Sequence, residues 1–146
     1  MRVLSQQNRP RIRRQGTSSV ELAIILPVLM LIVLGTVDFG RFAYHYIAVT
    51  NAARAGAEYA TMNPYLSAGA ATWRSQVQQT ARDELVNQVG CDPNLLTTTV
   101  TVTIESSGLR HVRVDAVYSS FQTLISWPGI PDTVTLGSSV VMRVIR

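Results

Sequence analysis

The sequence predicts an α+β protein whose long N-terminal helix crosses a membrane once and then continues into a small domain. Three observations predict this architecture. They are an uncharged apolar run from Leu22 to Val37, a second segment with helical periodicity, and a C-terminal region in which apolar and polar residues alternate. At 146 residues, the chain has room for one domain beyond the apolar run.

The apolar run has the composition of a membrane-spanning helix. At about 1.5 Å per residue it reaches about 24 Å, which is short of a roughly 30 Å hydrocarbon core, so we expect residues 20–42 to take part in spanning. Four aromatic residues after the run are typical of an interfacial belt: Phe39, Phe42, Tyr44 and Tyr46. A removable signal peptide is the alternative, but the run continues without a small-x-small cleavage site.

Positive charge is concentrated at the N-terminus. Five arginines and no acid precede Gly16, whereas eight arginines balance eight acids from Asp38 onward. The rest of the chain therefore has no basic face for a nucleic acid, and we expect no nucleic-acid partner. By the positive-inside rule the arginines belong in the cytoplasm, which places the C-terminal domain across the membrane.

The helical pattern continues past the membrane and ends before Pro64, so one helix is expected from about Ser18 to Met62. Small residues occupy every fourth position of its second half: Ala48, Ala52, Gly56 and Ala60. Such a row lets another helix or a sheet come close. An equally weighted alternative is that alanine occurs here because it is a strong helix former. Gly56, however, lowers helix stability and so needs another reason.

The remaining segments predict a second helix and three strands. Apolar residues at every fourth position from Trp73 to Val89 indicate an amphipathic helix that Gly90 closes. Alternation over residues 97–104 and 109–118 predicts a β-hairpin, and residues 134–145 predict a third strand after a connection at 121–132. The second helix and the outer half of the first are expected to cover the apolar side of this antiparallel sheet.

The sequence contains no motif of a catalytic, cofactor or metal site. It has no G-x-S-x-G, P-loop or H-E-x-x-H pattern, and no pair of acids with a spacing suited to acid–base work. Cys91, His45 and His111 have no metal-ligand spacing among them, and Cys91 is expected to be a free core thiol. We therefore expect a binding or assembly protein rather than an enzyme.

The chain resembles the type IV pilin-like proteins in the order of its features: a basic leader, a glycine, a glutamate five residues later, a long helix and a small sheet. More narrowly, the segment from Gly16 to Ala60, with its "VE", "ILPVL", "DFGR" and "NAARAGA", is similar to the TadE-like family of the tight-adherence (Flp-type) pilus machinery. This resemblance implies a pilin-like fold. Its parts are a leader of residues 1–16, a helix of residues 17–62 and an extracytoplasmic α+β domain of residues 63–146.

The resemblance also implies a function. A prepilin peptidase would cut between Gly16 and Thr17 from the cytoplasmic side, leaving Glu21 as the fifth residue of the mature chain. In pilins this glutamate pairs with a terminal amine during filament entry. The implied partners are the peptidase, other pilin or pseudopilin subunits, the inner-membrane assembly platform and membrane lipid. The implied location is the bacterial inner membrane or, after processing, the pilus.

Two alternatives remain open at this point. Ser18 and Glu21 also fit a capping box, in which Ser18 caps the helix and Glu21 reaches back to the Ser18 amide. The chain as a whole fits either a processed minor pilin or an unprocessed, single-pass membrane anchor that supports the secretion machinery. The N-terminal residue of the mature protein would separate the two functions.

Overall fold

The computed structural model describes residues 16–63, 65, 69–106, 108–126 and 129–144, so residues 1–15 of the predicted leader lie outside the described residues. Two helices and three strands follow one another along the chain: α1 (Thr17–Met62), α2 (Ala70–Val86), β1 (Leu96–Ile104), β2 (Arg110–Gln122) and β3 (Thr133–Val144). A single 3₁₀ turn, Pro93–Leu95, precedes β1. The α+β fold class predicted from the sequence is confirmed.

The chain divides into two compact units, one up to Thr36 and the other from Val37 onward. In the first unit the described part of α1 exposes nearly all of its large apolar side chains. It is long and apolar enough to cross a membrane. The hydroxyl of Thr36 donates to the Ile32 carbonyl at 2.7 Å, so this polar group is satisfied within the helix. Pro27 lies inside the helix without ending it.

In the second unit, one face of the sheet is covered by α2 and the outer half of α1. The strand order is β1–β2–β3, and both pairs are antiparallel. Alternate β2 side chains point inward and are almost completely buried: Val112, Val114, Ala116 and Tyr118. Against them pack small residues of α1 and the apolar stripe of α2, which includes Val77, Ala81 and Leu85. Both predicted covers of the apolar face are therefore present.

The β2 strand is longer than its alternation predicts, because its register against β3 shifts between Tyr118 and Phe121. A shift of this kind changes which residues face inward, since side chains alternate with a period of two. Phe121 consequently returns to the core and is 3% exposed. The connection to β3 therefore begins at Thr123, whose amide donates to the Asp132 carbonyl.

Two sequence predictions were wrong, one about the end of the second helix and one about the burial of Ile104. The second helix ends at Val86, three residues before Val89, because residues 87–90 form a turn in which Gly90 has a φ of 80°. Only glycine adopts that conformation readily. Val89 is consequently 84% exposed, and Ile104, which the alternation assigns to the apolar side, is 61% exposed at the end of the hairpin.

Candidate assembly site

The Gly16–Thr17 junction coincides with the start of α1. Thr17 is the first helical residue, and the Val20 amide donates to the Gly16 carbonyl at 3.3 Å. Gly16 is exposed, and a side chain at this position would meet nothing within 4 Å. The peptide bond between the two residues therefore joins a turn residue to the first residue of the helix.

Glu21 lies one turn inside α1, with its side chain exposed. Among the residues that the structure describes, none forms a hydrogen bond or ion pair with its carboxylate. Ser18 is already helical here, so it does not occupy the cap position that a capping box requires. Positions 17 and 21 are four residues apart and share one helix face, so an amine at residue 17 would stand one turn from the carboxylate.

All four members of the small-residue row on α1 are buried: Ala48, Ala52, Gly56 and Ala60. Gly56 marks a close approach. A Cβ atom built there would lie 3.4 Å from the Cβ of Ala81, 3.4 Å from the carbonyl oxygen of Val77 and 3.5 Å from Cγ1 of Val114. At this position α1 therefore touches both α2 and the sheet.

The two charged residues that follow the apolar run fasten the β2–β3 connection to α1. Asp38 is 6% exposed and accepts a hydrogen bond from the Leu124 amide at 2.9 Å. The guanidinium of Arg41 lies 3.5 Å from the same carboxylate oxygen and donates to the Gln122 carbonyl at 3.4 Å. It also stands over the ring of Phe121, 5.6 Å from the centroid. These contacts join segments more than 80 residues apart, which sequence analysis missed.

Comparison with known proteins supports the resemblance for this part of the chain. Residues 16–58 match the model of a family described as TadE-like protein. Residues 16–58 are called the TadE-like segment below. No curated protein and no solved structure gave a match to the chain. The family match indicates involvement in Tad pilus assembly, and this family is non-enzymatic in general.

The TadE-like segment contains the proposed cleavage junction, Glu21, the Asp38–Arg41 pair and most of the small-residue row. It ends two residues before Ala60, and the match does not extend to α2 or the sheet. The segment therefore combines an exposed apolar surface near its start with a buried small-residue face near its end. The first can meet lipid or other apolar helices, whereas the second is already occupied by this chain's own domain.

His45, also within the TadE-like segment, has a structural position. Its Nδ1 lies 2.8 Å from the Arg41 carbonyl oxygen, and its Nε2 lies 3.1 Å from the Gly90 carbonyl oxygen. Its ring packs against Phe121, with centroids 5.3 Å apart. The residue thus joins α1 to the loop before β1. Within the described ranges no cluster of three metal-ligating side chains occurs.

Cys91 and His111 are not brought together. Cys91 is half-buried against the core near Tyr118, whose hydroxyl accepts a hydrogen bond from the neighbouring Asp92 amide. His111 lies seven residues from Tyr118 along β2, which is roughly 23 Å. Burial raises the pKa of the Cys91 thiol, which makes the reactive thiolate scarcer at neutral pH. Neither residue therefore contributes to a site with the other.

The buried carboxylate gives a first prediction. Asp38→Ala is expected to destabilise the C-terminal domain by about 1–3 kcal/mol, because the Leu124 amide loses its acceptor and Arg41 loses its carboxylate partner. Asp38→Asn keeps an oxygen acceptor and should cost less. Thermal unfolding of the full-length protein in detergent, followed by circular dichroism, measures both effects. Equal midpoints for the alanine variant and wild type would contradict the fastening role.

Proposed function

We propose that this chain is a minor pilin, or pseudopilin, of a tight-adherence (Flp-type) pilus. A prepilin peptidase removes its leader, and the mature subunit helps to initiate or assemble the filament. The observation that carries this proposal is the coincidence, within one TadE-like segment, of an exposed glycine at the start of a helix and a carboxylate one turn inside it.

The position of the Gly16–Thr17 bond suits proteolysis. A protease binds its substrate with the backbone extended, and a bond at the very start of a helix needs little unwinding to reach that form. Gly16 has no side chain that could obstruct a narrow active site. Cleavage here removes the arginine-rich leader and leaves α1 beginning with Thr17.

The new N-terminus creates an electrostatic need that Glu21 can meet. A free amine at Thr17 is a positive charge at the N-terminal end of a helix, where the helix dipole is also positive. The carboxylate of Glu21, one turn farther along α1, compensates the charge of this amine. An unpaired charged carboxylate near the membrane centre costs about 2.5–3.5 kcal/mol, and less toward the edge, so pairing with an amine of its own chain or of a neighbour is favourable.

The remaining features follow from this role. The leader stands in the cytoplasm of a bacterium, α1 crosses the inner membrane once, and the α+β domain lies in the periplasm. The subunit's partners are the peptidase, other pilin or pseudopilin subunits and the inner-membrane assembly platform. In this role the chain is the substrate of an enzyme, the prepilin peptidase.

Replacing Gly16 tests the processing step. Wild-type protein expressed with the prepilin peptidase should lose 16 residues of a 16.0 kDa, 146-residue chain, or about 2 kDa. Gly16→Leu is expected to remain at the precursor mass, because its side chain blocks the protease site. Gly69→Leu is the matched control, since Gly69 also precedes a helix and a side chain there meets nothing within 4 Å. Mass spectrometry of the intact proteins gives the result.

An unchanged mass for the wild-type chain in its native cell would overturn cleavage. The chain would then be an unprocessed, single-pass anchor that supports the secretion machinery of the envelope. A wild-type protein that begins at Thr17 would instead support the minor-pilin role.

A further inference from the structure

The β2–β3 connection of the C-terminal domain is held beside the end of the apolar run. The run ends at Val37, and the next residue, Asp38, binds the Leu124 amide at 2.9 Å. Leu124 therefore lies level with the first turn of α1 that follows the run. Its own side chain is 58% exposed, and that of Ile130, farther along the same connection, is 52% exposed.

The loop between α2 and β1 is fastened to α1 slightly farther along. The Tyr44 hydroxyl accepts a hydrogen bond from the Val89 amide at 3.2 Å and donates to the Gln88 side chain at 3.0 Å. Tyr44 is six residues beyond Asp38, a rise of roughly 9 Å. The Val89 side chain, 84% exposed, thus stands at the same end of the domain as the β2–β3 connection.

The depth of this end in a bilayer can be counted along the helix. A hydrocarbon core of about 30 Å takes about 20 helical residues, so a span that starts at Val20 ends near Phe39. The headgroup layer adds about 5–7 Å on each side, which reaches Tyr44. Phe39 is 71% exposed and Tyr44 41% exposed, and aromatic side chains of this kind favour the headgroup level.

We propose that Val89, Leu124 and Ile130 insert into the lipid headgroup region, so that the two loops dock the C-terminal domain on the bilayer surface. The proposal rests on the membrane span of the proposed function and adds a second lipid contact, made by the folded domain itself. The occupant is lipid because hydrogen bonds hold both loops to the turns of α1 that emerge from the apolar run. Exposed apolar side chains at that level are stabilised by leaving water.

Site-specific fluorescence tests the docking. In a Cys91→Ser background, which removes the single cysteine of the sequence, Leu124→Cys and Ile130→Cys are labelled with an environment-sensitive fluorophore. The full-length proteins are reconstituted into phosphatidylcholine–phosphatidylglycerol vesicles. Spin-labelled lipids with the nitroxide near the headgroup should quench both labels several-fold more than a label at Ile104→Cys. Ile104 is the matched control, because it is an equally exposed apolar residue at the far end of the hairpin.

A label at Ile32→Cys separates this proposal from the membrane span. If deep nitroxides quench the label at position 32, the membrane span stands. If the labels at positions 124 and 130 are then quenched no more than the label at position 104, docking is overturned. Absence of quenching at all positions would overturn both. Labels that stay aqueous in vesicles but cross-link to another subunit in cells would also overturn docking and show a protein interface. The thermal unfolding midpoint of each labelled variant is compared with that of the wild type. Because two loop positions are labelled independently, the test stays valid if one variant misfolds.

Discussion

Glutamine in place of Glu21 is expected to abolish surface pili while membrane insertion and leader removal continue. The change keeps the size of the side chain and its hydrogen-bonding atoms but removes its charge. Glu21→Gln therefore cannot form an ion pair with a terminal amine. In surroundings of low dielectric constant that loss matters far more than it would for an exposed pair in water.

The control for this experiment is Glu58→Gln. Glu58 lies on the same helix and is exposed, but it belongs to the domain beyond the apolar run. The same chemical change there should leave pili at the wild-type number. Pilus counts by electron microscopy and cross-linking to partner pilins measure assembly, while the mass of the membrane-bound subunit reports cleavage.

Normal pili in the Glu21→Gln variant would contradict the pairing role. Glutamine serves almost as well as glutamate at the third helix position of a capping box, so that outcome would return Glu21 to local helix stabilisation. The structure already weakens that alternative for the uncleaved chain, because Ser18 is helical and the helix starts at Thr17. A normal result would also favour the anchor function over the minor pilin.

Gly56→Leu is expected to cost the C-terminal domain about 3 kcal/mol or more of folding free energy, at the upper end of what overpacking a core produces. The first added carbon already meets the Cβ of Ala81 and the carbonyl oxygen of Val77 at 3.4 Å. Gly56 is buried, so the rest of a leucine side chain would have to displace core neighbours. Replacing a helical glycine returns only about 1 kcal/mol of helix propensity, which does not offset the clash. We expect a lower unfolding midpoint in detergent and reduced abundance in cells.

Gly40→Leu provides the comparison on the same helix. A Cβ atom at Gly40 meets nothing within 4 Å, so this variant should unfold at or above the wild-type midpoint. Gly56→Ala should fall between the two, because its single methyl group makes contacts at the tight limit while the helix gains stability. If Gly56→Leu and Gly40→Leu unfold alike, the close approach of α1 to α2 and the sheet is not a requirement of the fold.

Much of this fold was predictable because its signals are local. The run from Leu22 to Val37 predicts a membrane helix by length and lack of charge, and Pro64 predicts the helix end that the structure places at Met62. Alternation predicts the strands, since the period of two is set by the backbone itself. The roles of Gly16 and Glu21 come from the family resemblance and stay predictions.

The predictions that failed depend on turn geometry and on contacts between distant segments. The exposure of Val89 follows from a turn in which Gly90 has positive φ, and the inward return of Phe121 follows from a register shift against β3. Neither leaves a periodic pattern in the sequence. From the sequence, Asp38 was interpreted as a charged residue that flanks a membrane helix. The structure shows instead that its carboxylate is buried and accepts a hydrogen bond from a backbone amide 86 residues away.

By itself, then, the amino-acid sequence determined the helices and strands, whereas the cytoplasmic side of the leader and processing at Gly16–Thr17 stay predictions. Each of these depends on properties that one segment carries alone, such as hydropathy, charge and backbone preference. The tertiary structure decided which faces are occupied: Gly56 against Ala81 and Val114, and Asp38 against Leu124. Those pairings need the chain to bring remote segments within a few ångströms, and that depends on the packing of the whole domain rather than on any one segment.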